Sequence, residues 1–248
     1  MQDCVTRHVK RKIKTLGVKP IIFGIIFFLL IFLISGILVV SKRSNVCFYA
    51  RSFYFVYTDK NRNSDLMLSA QDKIKKMGGA GVFVEKNYEQ YLVAAVYGGK
   101  DDAKEVASGL KDLGISAGII DLACKEISKK YQNLLKQNQS YFDLFNYLFN
   151  FQIKLEKLCF TFAKGELSEG KLMSNLVATK LEIQRLANMC QTENIQGLTE
   201  VINSANLVAE YIDYAFDKFF SATSKESVCY ELCVKFVLCY IELCDNLQ

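Results

Sequence analysis

Nine cysteines are the residues of this 248-residue chain most suited to chemistry. Four of them, Cys229, Cys233, Cys239 and Cys244, crowd the C-terminus. Cys229 and Cys233 are one helical turn apart and share a helix face, a spacing that could place two thiolates on zinc. A structural zinc site, however, takes four nitrogen or sulfur ligands converging from separate elements. These four cysteines lie on one helical stretch and point in several directions. They read as small buried hydrophobes, because free cysteine is among the most buried residue types. No metal or other cofactor is expected.

Catalytic groups are scarce. His8 is the only histidine, and it precedes a long apolar run, so no serine or cysteine beyond that run has an imidazole base. Ser128-Lys129 and Ser224-Lys225 read as ordinary helix-surface pairs. Gly78-Gly79-Ala80-Gly81 leaves a helix and enters a strand, the reverse of the strand-to-helix order that cradles phosphate. Gly98-Gly99 does precede a helix, but Asp101 and Asp102 would repel an anion there and suit the helix dipole instead. No enzymatic activity is expected. The net charge of +5 is too mild to imply a nucleic-acid partner.

The elements that carry these residues fall into four stretches. Residues 1–19 form a basic tail with Arg7, Lys10, Arg11, Lys12, Lys14 and Lys19. Residues 20–40 are uncharged and apolar, matching the ~20 residues that cross a bilayer as a helix. A cleaved signal peptide would have a shorter apolar core, roughly 7–15 residues, so an uncleaved anchor is expected. Basic residues are denser before the run than after it, where Lys42, Arg43 and Arg51 stand. The positive-inside rule then places Met1 in the cytoplasm and the rest beyond the cell membrane. The expected localisation is a single-pass membrane protein.

Residues 47–122 alternate strand-like and helix-like runs. Strands are predicted at Phe53–Tyr57, Ala80–Val84, Tyr91–Tyr97 and Ile115–Leu122, where aromatic and β-branched residues dominate. Helices are predicted over Asp65–Met77 and from Asp101 to Leu113, each closed by a glycine, Gly78 or Gly114. The order is β-α-β-β-α-β, the ferredoxin-like split unit. Residues 123–248 are helical throughout, with a break near Asn138–Ser140, a loop between Gly165 and Gly170, and helices over 171–190, 198–220 and 228–247. Short loops make these an expected antiparallel bundle. The expected fold class is thus α+β: a transmembrane helix, a ferredoxin-like module, then an all-α bundle.

The segment Tyr91–Val106, YLVAAVYGGKDDAKEV, resembles the second half of the SPOR domain, the sporulation-related repeat. The likeness is to the membrane-anchored type of spore-forming bacteria and covers the second quarter of the chain. The resemblance implies peptidoglycan binding in sporulation or cell division, through a sheet face left open by the module's helices. On the family's register Phe53, Phe55, Tyr57, Val93 and Ala95 face the helices. Tyr54, Val56, Phe83, Leu92, Ala94 and Ile120 then form the open, ligand-binding face. Here that face departs from the pattern: where the family has glutamine and arginine, this chain has Val56, Leu92 and Ala94. Strands apolar on both sides are normally covered on both sides. The alternative expectation is therefore a membrane-tethered interaction scaffold for envelope proteins that no longer binds glycan. In that case Tyr54, Val56, Phe83 and Leu92 should be buried by a C-terminal helix, with Tyr141–Phe149 the expected cover.

Overall fold

Four runs rich in Val, Ile, Phe and Tyr pair into one antiparallel sheet. The computed structural model describes residues 48, 50–61 and 68–248. The expected tail and span at residues 1–40 lie outside the described residues, as does the start of the helix expected from Asp65. Strands β1 (Arg51–Asn61), β2 (Val82–Lys86), β3 (Glu89–Tyr97) and β4 (Gly118–Cys124) lie in the order β2-β3-β1-β4. Helix α1 (Leu68–Lys76) connects β1 to β2, and α2 (Lys100–Asp112) connects β3 to β4. Both helices end alike. Gly78 and Gly114 take left-handed backbone, and Gly79 and Ile115 bond back to the carbonyls of Ile74 and Leu110, each at 3.0 Å.

Five further helices follow: α3 (Lys129–Gln137), α4 (Gln139–Ala163), α5 (Glu169–Glu193), α6 (Thr199–Phe219) and α7 (Lys225–Asn246). Ser168 and Ser224 cap α5 and α7 by accepting the backbone N–H of Lys171 and Ser227. Asn138 divides α3 from α4 with an extended backbone, and its side-chain amide donates to the Leu134 carbonyl.

The expected fold class is corrected in two respects. Among the described residues no helix is long and apolar enough to cross a membrane. The long helices carry charged side chains that a membrane span would not, as α7 does with Lys225, Glu226, Glu231, Lys235 and Glu242. Nor do the late helices form a separate bundle. Cys47–Gln248 is one compact unit, and Phe53, Phe55, Val93 and Ile120 of the sheet share a single apolar core with α4–α7. The reason is visible in β3, where every residue from Tyr91 to Tyr97 is buried. Such a strand needs cover on both faces.

The two faces are the reverse of the expected assignment. Val56, Ala95 and Tyr97 pack on Ala103 and Ala107 of α2, while Leu92 and Ala94 pack with Ile74 of α1. Phe53, Phe55, Tyr57, Val84, Tyr91 and Val93 face the late helices. Ile120 pairs with Phe55 and joins that second group. Only Ala95, of the residues expected against the module's own helices, lies there. Breaks in register at Val56/Tyr57 and Tyr57/Asp59 leave Ala94 and Thr58 unpaired, so Ala94 and Ala95 both turn toward α1 and α2.

Candidate functional site

Tyr54, Val56, Phe83, Leu92 and Ala94 form no open surface. Val56 and Leu92 are fully buried, Ala94 nearly so, and Tyr54 and Phe83 are half-buried beside α2 and α1. The other face, where the SPOR resemblance would place its glycan cleft, is occupied by α7, which crosses β3, β4 and β2. The Tyr240 ring of α7 meets the Phe53 ring edge-on, with centroids 6.4 Å apart. Tyr141–Phe149, the expected cover, lies alongside α7, with Phe145 and Phe149 each 6.0 Å from Tyr240.

An accessible cleft of about 420 Å³ opens elsewhere, between the turn that starts α2 and the outer face of α4. Its polar groups converge on Gly98. The Gly98 N–H donates to Glu156 Oε2 at 3.1 Å, and the Gln152 side-chain amide donates to the same oxygen at 3.2 Å. Both bonds fall on Oε2. The Arg51 guanidinium lies against the bare Gly98 backbone, where any Cβ would overlap it. A side chain at 98 would therefore displace the guanidinium from this position. Arg51 is fixed by two rings, 5.0 Å from the Phe53 centroid and 5.6 Å from that of Phe149. Among the described residues no hydrogen bond or ion pair takes up its N–H donors. Asp102, Glu105, Lys157, Val106, Ile153 and Phe160 complete the lining. Ile153 and Phe160 remain 48% and 43% exposed despite being large and apolar.

Burial pushes the Glu156 carboxyl above the usual range, and nearby Asp102 adds to this. The Gly98 N–H, the Arg51 charge and Gln152 oppose it. Tyr97, which lines the cleft, packs against Tyr230 of α7. Burial raises both phenols, Tyr230 to about 12.

The described cysteines are all buried and free. Cys159 of α4 donates to the Cys229 carbonyl at 3.4 Å, and Cys233 Sγ lies 3.3 Å from Cys159 Sγ. The Cys159 thiol is held well above its usual range by hydrogen bonds with Cys229 and Cys233, and by burial. Burial also raises Cys239 to about 11 and Cys190 to about 12. Raised thiols of this kind are weak nucleophiles, whereas Cys124 shifts the other way, lowered mainly by its hydrogen bond with Cys244. Among the described residues no cluster of three or more His, Cys, Asp or Glu side chains is placed to hold a metal ion.

Arg51, Glu156, Ile153 and Phe160 did not stand out in the sequence. The available signal was weak: Ile153 and Phe160 fall off the apolar stripe of α4, and Glu156 follows one turn after Gln152. Gly98-Gly99 was visible, but it is Gly98 that lies against Arg51 and donates to Glu156. No family model, curated protein or solved structure matches this chain.

Proposed function

We propose that this chain is a non-enzymatic interaction protein of the cell envelope, a scaffold whose sheet is structural and whose recognition surface is the cleft between α2 and α4. The observation that carries this reading is the cover of α7 over the sheet face bearing Phe53, Phe55 and Val93. All three side chains are fully buried there. A glycan chain would have to displace α7, and with it a large share of the apolar core. The α4 cleft is different in kind. It exposes apolar side chains beside convergent charges, the arrangement that binding pockets use. The envelope assignment rests on the resemblance at Tyr91–Val106.

Support for a non-enzymatic role comes from the cysteines. The described thiols are buried, and the chain has no histidine after His8.

The test is co-sedimentation of the full chain with peptidoglycan stripped of stem peptides. The expected result is no retention above that of an unrelated protein of equal charge. Saturable retention, competed by soluble glycan strands, would contradict the proposal.

A further inference from the structure

We propose that the cleft between α2 and α4 binds a free α-amino acid with a large apolar side chain. Its carboxylate would lie on Arg51, its ammonium on Glu156, and its side chain on Ile153 and Phe160. This rests on the reading of the cleft as the recognition surface and names its ligand class. Four observations converge on it.

The first is charge. Arg51 and Glu156 approach the same point over Gly98: a Cβ there would overlap the guanidinium and would sit 3.5 Å from Glu156 Oε2. Yet no direct ion pair joins the two among the described residues. A cation and an anion held close but apart fit a ligand that carries both signs on neighbouring atoms.

The second is preorganisation. The rings of Phe53 and Phe149 fix the guanidinium, whose fork of N–H donors matches a carboxylate bidentately. Glu156 is fixed through Oε2 alone, which leaves Oε1 to accept from an ammonium.

The third is the apolar wall. Ile153 and Phe160 are exposed two turns apart on one face of α4, with Val106 of α2 also lining the cleft. The fourth is size, since about 420 Å³ is at the small-ligand end of binding sites.

Other ligands fit less well. An inorganic anion would face Asp102, Glu105 and Glu156, and a simple amine would leave Arg51 without a counter-charge. The interior of a peptide carries neither charge.

The test is isothermal titration of the full chain with L-leucine and L-phenylalanine, beside N-acetyl-L-leucine and L-leucinamide. Free amino acids are expected to bind with Kd of about 1 mM or tighter. Each capped form, lacking one charge, is expected to bind at least about tenfold more weakly. Glu156→Gln still accepts from the Gly98 N–H and should weaken L-leucine by about tenfold or more, removing its margin over N-acetyl-L-leucine. Phe160→Ala, at an exposed position, should weaken L-phenylalanine without altering the circular dichroism.

No saturable binding of either amino acid would overturn the proposal. So would equal binding of the capped forms, or unchanged binding by a folded Glu156→Gln variant. None of these outcomes bears on peptidoglycan retention, so failure here is distinguishable from failure of the scaffold reading.

Discussion

Glu156 shows how one side chain can be both strained and useful. Its carboxyl is raised, so the folded chain holds that proton to higher pH than the unfolded chain, whose reference value is 4.5. Stability contributed by this group is present below that unfolded value and is lost as pH rises through the higher folded one. Asp101, Asp121 and Glu182 shift the other way, lowered mainly by hydrogen bonds from Lys104, Lys86 and Arg185. Their stabilisation is lost instead as pH falls through their folded values. In urea titrations the wild type is therefore expected to lose stability relative to Glu156→Gln as pH rises above about 4.5, toward neutrality. A constant difference across that range would contradict the burial of Glu156. Single residues also limited what the sequence could reveal. The turn between β2 and β3 needs positive φ at both Asn87 and Tyr88. Asn is common there, but an exposed tyrosine is not. The four flanking polar residues Glu85, Lys86, Glu89 and Gln90 fall outside the expected strands Ala80–Val84 and Tyr91–Tyr97, yet they pair in the ladder.

Elements were more legible than their partners. Helix ends at Gly78 and Gly114, and the break before α4, follow from local backbone chemistry and were readable residue by residue. Which face of the sheet meets which helix was not readable, because both faces are apolar. With no polar face to anchor the register, a one-residue choice inverts every side chain. The unpaired Ala94 and Thr58 invert it again within β3 and β1. The expectation that Leu92 is buried holds, but its cover is Ile74 of α1 rather than a late helix. Leu92→Asp would bury an unpaired carboxylate between β3 and α1. It should cost roughly 3–5 kcal/mol, measured by denaturant unfolding. A loss below about 1 kcal/mol, the range of exposed sites, would mean that α1 does not seal that face.

At the scale of the molecule, the sheet is a shared wall. Helices α1 and α2 cover one side and α7, backed by α4–α6, the other, which is why the chain from Cys47 to Gln248 is one unit. The sequence placed amphipathic helices after the sheet but could not show that α7, the last of them, returns to it. Contacts between Phe53 and Tyr240 span most of the chain, and no local pattern encodes them. The scaffold reading depends on that return: with α7 in place, the face that the SPOR resemblance would offer to glycan is filled. The most direct measurement is a nuclear Overhauser spectrum of the full chain with phenylalanine and tyrosine ring protons assigned. Cross-peaks between the Phe53 and Tyr240 rings are expected, with Phe53 protected from a soluble paramagnetic agent. Their absence, together with paramagnetic broadening of Phe53 and Phe55, would show the sheet face open to water and contradict the account.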